Sequence, residues 1–524
     1  MAAAVPTSSL WAFRTTPISV TKCEQVAVTT PVALVVRRSF LEDLHRVWRM
    51  FYRLLRLSIT LAPIWCFFPL FWLVKPDTVD VDTHELVLDE DESKRNPLLA
   101  WYYRLCLGCV ERSGAAVIKL MQWAGSRPDL FGHDFCAVFG KLQDDTTPHS
   151  LAHTEKQLRK AFGTDWKDRI EVGEILGSGC IGQVYRGKTP DGDVAVKVLH
   201  PNVDGDIEAD LDLMRASVRV AEHLPFLDGL RWLDLPGVVE EFATLLRSQL
   251  DLRNEAKNLE RFNVNFRDST SIVFPKLIEG FAPTRDVLVE TFCDGEPILK
   301  FAKANRDNQE ALSKLCFDGI EAVCQMIFLD NFMHGDLHPG NVYISSDCSK
   351  LILFDVGIVA EYTDADHGAI VDILSSFIRK EGRQAGLFMI NDSNRRLKDA
   401  GEFALDEELF LKKIEKLTIM ASTKGYLMEN LGTYISYICG AASKHHVMIN
   451  PAFVSASLAV KVQEGIALAL DPSMQIWKVA IPIIVESERR RMGSVRATAK
   501  VLGVESWIGS WLGDQSENNG SSSK

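Results

Sequence analysis

Two stretches, HGDLHPGN at residues 334–341 and LILFDVG at residues 351–357, decide the fold class of this chain. The first has the form H-x-D-x-x-x-x-N, and the second is an apolar run that ends in Asp-x-Gly. Such a run predicts a buried strand that delivers its acid, Asp355, to a turn. The spacing is typical of a catalytic loop in which Asp336 faces a nucleophile, while Asn341 and Asp355 bind magnesium on phosphates. Each stretch taken singly is also compatible with a surface loop or a strand end.

A glycine-rich stretch lies upstream of this pair. Residues 177–184, GSGCIGQV, fit G-x-G-x-x-G-x-V, and the run VAVK at residues 194–197 begins ten positions after Val184. Glycines let backbone N–H groups approach phosphate oxygens without side-chain clashes. A lysine at the end of the next apolar strand, Lys197, then binds the α- and β-phosphates. A dinucleotide-binding turn is the alternative, but β-rich sequence flanks the glycines where that turn requires the start of a helix.

The four elements occur in the order found in protein kinases, so we expect an α+β, two-lobed protein-kinase-like fold that binds ATP and Mg2+. The run at residues 287–292 predicts the edge strand that leads to the hinge, where the backbone of Glu290 and Phe292 should line the base pocket. The residues of the glycine-rich loop that are expected to contact ATP are Gly177, Ser178, Gly179, Cys180, Ile181, Gly182, Gln183 and Val184.

The resemblance can be narrowed to the UbiB family, the aarF-domain-containing atypical kinases. The stretches 334–341 and 354–357 resemble that family's catalytic motifs, and KLMQ at residues 119–122 is similar to the K-x-G-Q motif of its N-terminal extension. The runs SRPD at 126–129 and KLQDD at 141–145 follow in the family's order. The similarity extends from about Pro97 to Pro472, and the chain looks most like the second mitochondrial type of these kinases.

This resemblance implies an ATP- and magnesium-dependent atypical kinase or ATPase of mitochondria. Asp336 would be the catalytic base, Asn341 and Asp355 the metal ligands, and Lys197 the phosphate anchor. The implied role is to support coenzyme Q biosynthesis or mitochondrial lipid metabolism. The implied partners are a membrane lipid or quinone-like lipid, and a coenzyme Q biosynthetic complex.

In the UbiB family the N-terminal extension packs over the nucleotide site and replaces ordinary substrate access. Lys119 and Gln122 match the family's motif and would be the regulatory residues, whereas Met121 stands where the family has Gly. The alternative for this segment is an amphipathic helix with a solvated lysine. Gln249 replaces the first Glu of the family's E-x-D motif, so Lys119 is expected to lose an anionic partner.

A kinase fold also needs an acid on a helix that pairs with Lys197. Glu255 is expected to be that acid, because it aligns with the family's E-A-x-N stretch. Glu240 and Glu241 are the alternatives on the same predicted helix, residues 236–262.

Two features argue against a protein substrate or efficient transfer. After Gly357 the chain leads directly to a helix predicted near Asp366, with no activation segment of normal length and no A-P-E motif to hold a peptide. His338 stands where ordinary kinases carry a Lys, and it can neutralise a phosphoryl group only when protonated. Two alternatives therefore stay open: a pseudokinase that binds a lipid or a protein under nucleotide control, and a soluble aminoglycoside- or choline-type phosphotransferase.

Composition sets broad limits on the function. The 524 residues carry a net charge of −12 with 47% apolar residues, so we expect large cores and no basic stripe for nucleic acid. The 11 cysteines are an odd number scattered along the chain, which argues against a disulfide framework. Cys106 and Cys109 form a C-x-x-C in an apolar segment and are expected to be core residues rather than a metal site.

The ends of the chain differ from its middle. Residues 1–40 are acid-poor and contain Arg, as mitochondrial transit peptides do, although a disordered N-terminus is the alternative. Residues 57–74 are uncharged and apolar, and they predict a transmembrane or membrane-anchoring segment, so that the chain would lie at the inner membrane. The other predicted regions are a helical extension at 97–165 with Thr154 as a helix cap, a small lobe at 168–295, a large lobe at 296–490 and a disordered tail at 513–524.

Overall fold

The computed structural model describes residues 50–69, 97–125, 148–222, 235–397, 406–423 and 469–492, with single positions and short pieces between them. The predicted transit peptide, the predicted C-terminal tail and residues 70–74 of the predicted membrane segment lie outside the described residues.

Groups of helices and groups of strands follow each other as far as Ala360, and the described residues after that position contain helices and no strand. The described strands are β1 (Glu171–Ser178), β2 (Gly182–Thr189), β3 (Gly192–Leu199), β4 (Ile272–Val273), β5 (Val287–Thr291), β6 (Gly295–Pro297), β7 (Met333–His334), β8 (Val342–Ser345), β9 (Leu351–Leu353) and β10 (Val359–Ala360). The described α-helices are α1 (Met50–Pro69), α2 (Pro97–Glu111), α3 (Ala115–Gly125), α4 (Leu151–Phe162), α5 (Trp166–Arg169), α6 (Val203–Glu222), α7 (Leu235–Gln249), α8 (Leu252–Asn265), α9 (Ile298–Ala304), α10 (Gln309–Cys324), α11 (Asp364–Ile378), α12 (Gly382–Leu397), α13 (Glu407–Thr423) and α14 (Ile476–Met492).

The sheet that carries the glycine-rich loop has the order β1-β2-β3-β5, with every neighbouring pair antiparallel. Register pairs Lys197 with Val184, and it pairs Glu290 with the residue two positions before Lys197. Because side chains alternate along a strand, these three residues share one face, here called the front face. Tyr185 and Val196 pair on the opposite face, here called the back face.

Two helices, α4 and α5, cover the back face. Leu158 on α4 and Trp166 on α5 are buried in one hydrophobic cluster with Tyr185 and Val196. The prediction that Thr154 caps a helix is wrong: α4 begins at Leu151, and Thr154 lies inside it with a fully buried side chain. Its hydroxyl faces the sheet instead. Because it is buried there, it needs a hydrogen-bond partner other than the N–H groups at the start of the helix.

The single helix predicted over residues 236–262 is divided into α7 and α8. Asp251 lies between them with extended backbone and accepts a hydrogen bond from the N–H of Arg253 at 3.1 Å, which caps α8. The break places Glu255 on α8 and the two alternatives, Glu240 and Glu241, on α7. Glu240 on α7 pairs with Arg215 at 2.6 Å, so it is not the partner of Lys197.

The catalytic-loop stretch lies between two small sheets. One pairs β7 with β10, and the other has the order β4-β9-β8-β6. Helix α10 leads to this region and ends in a π-helical turn at Gln325–Leu329. Helix α11 begins at Asp364, close to the predicted start, so only a few residues separate Gly357 from it. The fold is therefore the mixed helix–sheet type that was predicted, while the region boundaries stay predictions.

Helix α1 overlaps the predicted membrane segment. Its 20 residues have a mean hydropathy of 1.3, which by length and composition suffices to cross a membrane, as weak evidence on its own. One side of the helix contacts the folded chain: the buried Arg53 pairs with Asp210 on α6, with Nη2 and Oδ2 2.7 Å apart. The other side carries Ile59 and Trp65, which are 67% and 71% exposed.

Candidate active site

The centre of the candidate site is Lys197 on β3. Its Nζ donates to both carboxylate oxygens of Glu255 at 2.8 Å and to Oδ1 of Asp355 at 3.2 Å. The register of β3 turns the lysine to the front face, and the cap at the start of α8 brings Glu255 within reach of it. The predicted pairing of Lys197 with Glu255 is thus present, and the acid of the Asp-x-Gly turn joins it.

Charge–charge contacts decide the direction of the pKa shifts of Lys197 and Asp355, whereas burial decides that of Glu255. Burial would lower the pKa of Lys197, but the carboxylates of Asp355 and Glu255 raise it well above its usual range. Burial would raise the pKa of Asp355, yet Lys197 and Lys119 hold it well below its usual range. Burial raises the pKa of Glu255 despite the nearby Lys197. The site therefore holds a permanent ammonium beside a permanent carboxylate.

The Asp-x-Gly turn has the backbone that its sequence requires. Asp355 adopts a φ of +53°, in the left-handed region that few non-glycine residues occupy. A Cβ on Gly357 would lie 3.2 Å from the Asp355 carboxylate, so a side chain there would crowd the acid. The turn therefore directs the Asp355 carboxylate to Lys197 and keeps space beside it.

His334 fixes the catalytic loop from beneath, a role that the sequence motif did not specify. Its ring is buried; Nδ1 accepts the N–H of Asp336 at 3.2 Å, and Nε2 lies 2.9 Å from the carbonyl of Phe354. Because a carbonyl only accepts, the ring is the neutral tautomer with its proton on Nε2. Burial lowers the pKa of His334, which agrees with this neutral form. The histidine at the first position of H-x-D is the feature of the sequence that could have indicated this role.

Asn341 completes the loop and leaves oxygen donors for a metal ion. Its Nδ2 donates to the carbonyl of Asp336 at 2.9 Å, so its Oδ1 is the side-chain atom that can ligate a cation. Oδ1 of Asn341 and the carboxylate of Asp355 are the hard oxygen donors that Mg2+ prefers. Among the described residues no group of three or more His, Cys, Asp or Glu could hold a metal ion, so the remaining ligands would come from phosphates and water.

The glycine-rich loop is only partly turned toward the front face. A Cβ on Gly177 would meet nothing within 4 Å, which leaves room for a ligand, whereas one on Gly182 would meet the carbonyl of Val198 at 3.0 Å. The side chains of Cys180 and Ile181 are buried in the main core. These two residues can therefore offer only their backbone to a nucleotide.

Four further loop residues were predicted to contact ATP. The N–H of Gly179 donates to the carbonyl of Gly182 at 2.9 Å and closes the turn. Ser178 ends β1, where it pairs with Gln183, and the side chain of Gln183 is fully buried on the back face. Val184 lies on the front face, so its side chain is the one that joins Lys197 there.

The hinge residues differ from the backbone-only role expected of them. The carboxyl of Glu290 lies on the front face, and burial, reinforced by Glu255, raises its pKa to about 8. The N–H of Phe292 already donates to the carbonyl of Asp193 at 3.2 Å, and its ring lies 4.4 Å from the guanidinium of Arg186. Phe292 therefore cannot offer its N–H to a base without breaking an internal bond.

The two predicted regulatory residues, Lys119 and Gln122, contact different parts of the chain. Lys119 on α3 places its Nζ 4.0 Å from Oδ2 of Asp336, with only 10% of its side chain exposed. Gln122 donates to the carbonyl of Leu142 at 3.1 Å. Gln249 stands where the family motif has an acid, so Lys119 has no carboxylate partner at that position. Asp336 is the anionic partner that the structure gives Lys119.

His338 is used within its own turn. Its Nδ1 accepts the N–H of Gly340 at 3.1 Å and caps the 3-10 turn Pro339–Asn341. This bond engages Nδ1 of His338 within its own loop.

Comparison with known proteins identifies the family of this site. Residues 141–386 match the family model of the ABC1 atypical kinase-like domain. A mitochondrial ABC1 family protein of Saccharomyces cerevisiae is 30% identical over 532 aligned residues, which cover 87% of this chain and 78% of that protein. The chain belongs to the ABC1 family of atypical kinases. The resemblance to UbiB proteins is confirmed, and the ABC1 match includes both the glycine-rich loop and the Asp-x-Gly turn.

Two further relatives and one solved structure match this chain at lower sequence identity. A protein of Dictyostelium discoideum named "Probable serine/threonine-protein kinase abkC" is 28% identical over 74% of this chain, which spans 65% of that protein. A protein of Shewanella loihica named "Probable protein kinase UbiB" is 27% identical over 75% of this chain and 71% of its own length. A Mycobacterium tuberculosis protein solved with erythromycin aligns with 78% of this chain and 99% of its own at a TM-score of 0.49 and 19% identity.

Proposed function

We propose that this ABC1 family protein binds ATP with Mg2+ at the front face and acts as an atypical kinase or ATPase. The observation that carries the proposal is Lys197, which bridges Glu255 and Asp355 beside the Asp336–Asn341 loop. Lysine in this position anchors the α- and β-phosphates, and Glu255 holds its amine in place.

The chain's own groups supply the other parts of a phosphoryl-transfer site. Asp336 is the proposed base, with its backbone fixed by His334 on one side and by Asn341 on the other. A Mg2+ ion, when bound, would supply positive charge against the charge that develops on the phosphates. Oδ1 of Asn341 and the carboxylate of Asp355 would hold that ion, because both are hard oxygen donors of the kind that Mg2+ prefers.

The proposed acceptor is water, a small molecule or a lipid rather than a protein. Only a few residues separate the Asp-x-Gly turn from α11, so the platform on which kinases hold a peptide is missing from this segment, all of which the structure describes. The family resemblance favours a role in coenzyme Q biosynthesis or mitochondrial lipid metabolism, with a lipid, a quinone-like lipid or a biosynthetic complex as partner. The mitochondrial relatives favour a mitochondrial location, and the exposed side of α1 supports attachment to the inner membrane.

A second candidate is a pseudokinase that uses nucleotide to control its affinity for a lipid or a protein. The contact that favours it is Lys119, whose ammonium lies where an acceptor hydroxyl would approach Asp336. In this role the site binds ATP but does not cleave it while the extension stays closed. The same contact predicts that Lys119→Ala exposes Asp336. If the protein is an enzyme, ATP hydrolysis should then be faster in this variant than in wild type.

Phosphate release from Mg-ATP by the full chain in lipid nanodiscs tests the two candidates. We expect slow hydrolysis that is lost in Lys197→Ala and Asp355→Asn and retained in Lys188→Ala, an exposed lysine of the same sheet. Nucleotide binding without hydrolysis, in both wild type and Lys119→Ala, would favour the pseudokinase. Absence of nucleotide binding would exclude both. The chain should not be shortened to residue 97, because that would leave Asp210 buried without Arg53.

A further inference from the structure

Four residues on the back face form a continuous hydrogen-bond series that ends at the glycine-rich loop. The hydroxyl of Tyr185 lies 2.7 Å from that of Thr154, which lies 2.8 Å from Nε2 of His149. Nδ1 of His149 lies 2.7 Å from Nδ1 of His200, and Nε2 of His200 lies 2.8 Å from the carbonyl of Gly179. We call Tyr185, Thr154, His149 and His200 the back-face relay.

The partners fix where each proton of the relay lies. A carbonyl only accepts, so Nε2 of His200 carries a proton and its Nδ1 accepts from Nδ1–H of His149. The neutral His149 then accepts at Nε2 from the hydroxyl of Thr154, which in turn accepts from the hydroxyl of Tyr185. Burial lowers the pKa of both histidines, that of His149 to about 4, which agrees with neutral rings. All four bonds therefore point in one direction, toward Gly179.

The relay joins helix α4 to the loop through more than one bond. Thr154 is fully buried and Tyr185 is 2% exposed, so water does not compete for their hydroxyl groups. The backbone N–H of His149 donates to the buried side chain of Gln183 at 2.8 Å. The backbone N–H of His200 donates to the carbonyl of Ile181 at 2.9 Å. Gln183 is thus tied directly to the segment that begins α4, whereas Ile181 and Gly179 are tied to it through His200.

We infer that the back-face relay is a positioning element for the glycine-rich loop. By holding the carbonyl of Gly179 toward the back face, it fixes the plane of the Gly179–Cys180 peptide and so the orientation of the loop backbone at which phosphates would bind. Thr154 is a positioning residue in this account, because it touches no part of the site and acts through His149 and His200. The inference rests on the proposed nucleotide site for its consequence, but not for the geometry of the loop itself.

The test compares Thr154→Val with Thr154→Ser in the full chain. Valine keeps the shape but can neither accept from Tyr185 nor donate to His149, whereas serine keeps the hydroxyl. We expect hydrogen exchange of the amides in residues 177–184, without nucleotide, to be about tenfold faster in Thr154→Val and near wild type in Thr154→Ser. Affinity for Mg-ATP should fall about five- to tenfold in Thr154→Val alone.

Leu158→Ala is the matched control, because Leu158 is fully buried on the same helix one turn further along and outside the relay. It should lower the melting temperature without faster exchange in the loop. Equal loop exchange in Thr154→Val and Thr154→Ser would overturn the inference, and so would faster loop exchange in Leu158→Ala. If wild type binds no nucleotide but the exchange pattern holds, the proposed function fails and the positioning element stands.

Discussion

The two faces of the β1-β2-β3-β5 sheet are built on opposite principles. The front face gathers charges, with Lys197 between Glu255 and Asp355 and with Glu290 beside them, and their pKa values are displaced from the usual ranges. The back face carries the neutral relay and an apolar cluster covered by α4 and α5. Perturbed ionisable groups in a cleft are typical of binding sites, whereas neutral groups whose hydrogen bonds are made are typical of scaffolds. Function and support are therefore separated by the thickness of one sheet.

Among the variants that test this difference between the two faces, Asp355→Asn on the front face should have the largest effect on ATP hydrolysis. Loss of the carboxylate should reduce ATP hydrolysis by about 1,000-fold, because the amide removes the negative charge needed to hold Mg2+. The melting temperature should change little, since the site is built for a ligand. Steady-state phosphate release and a thermal scan measure both quantities. A large loss of stability with activity retained would contradict the division between the faces.

Leu158→Ala on the back face should do the reverse. Removing a fully buried leucine from the cluster should lower the free energy of unfolding by about 3 kcal/mol, because the cavity cannot collapse completely. Affinity for Mg-ATP, measured by titration at a temperature where the variant is folded, should stay within about twofold of wild type. Loss of affinity comparable to that of a front-face variant would mean that the two faces are coupled.

Two ionisable groups, His149 at the back face and Glu290 on the front face, should respond to pH with opposite sign. Burial, followed by His200 and His153, lowers the pKa of His149 to about 4, from 6.5 in the unfolded chain. Its contribution to stability is therefore present above pH 6.5 and lost as the pH falls toward 4, by roughly 1 kcal/mol per pH unit at most. Denaturant unfolding of His149→Gln should show a flatter profile in this window, whereas the exposed His446→Asn should not. An unchanged slope in His149→Gln would remove His149 as the cause.

Glu290→Gln gives the matching pH test on the front face. Glu290 has a pKa near 8 in the folded chain and 4.5 when unfolded, so its contribution to stability is present below pH 4.5 and lost as the pH rises through 8. Replacing it should make the protein more stable than wild type at about pH 9, with little difference near pH 5. Paired unfolding curves at the two pH values measure this change. Equal stabilities at both pH values would show that Glu290 does not take up a proton at the front face.

Much of the front face was accessible from sequence. The motifs around Asp336, Asn341 and Asp355 are short. Their spacing therefore indicates the local backbone and the roles of the side chains without knowledge of distant contacts. The choice of Glu255 came from a family resemblance, and the structure supports it through the 2.8 Å pair with Lys197. The helix that carries it was predicted wrongly, because the capping role of Asp251 was not recognised within a long helical pattern.

The back face was not accessible in the same way. Thr154 fits an N-terminal cap pattern equally well, and no periodicity shows that its hydroxyl meets Tyr185, 31 positions away. The burial of Cys180 and Ile181 was likewise missed, since glycine-rich loops commonly expose such residues to the ligand. Only the packing of α4 on the sheet and of the loop on the main core decides these contacts.

The sequence by itself determined the chemistry at short range: the catalytic loop, the Asp-x-Gly turn, the glycine-rich loop and the lysine on the next strand. Tertiary structure alone decided which of these groups meet. Lys197 and Asp355 are 158 positions apart, and Lys119 approaches Asp336 from a separate helix. The physical reason is that spacing fixes backbone geometry over a turn or a strand, whereas contacts between distant elements depend on how their apolar faces pack.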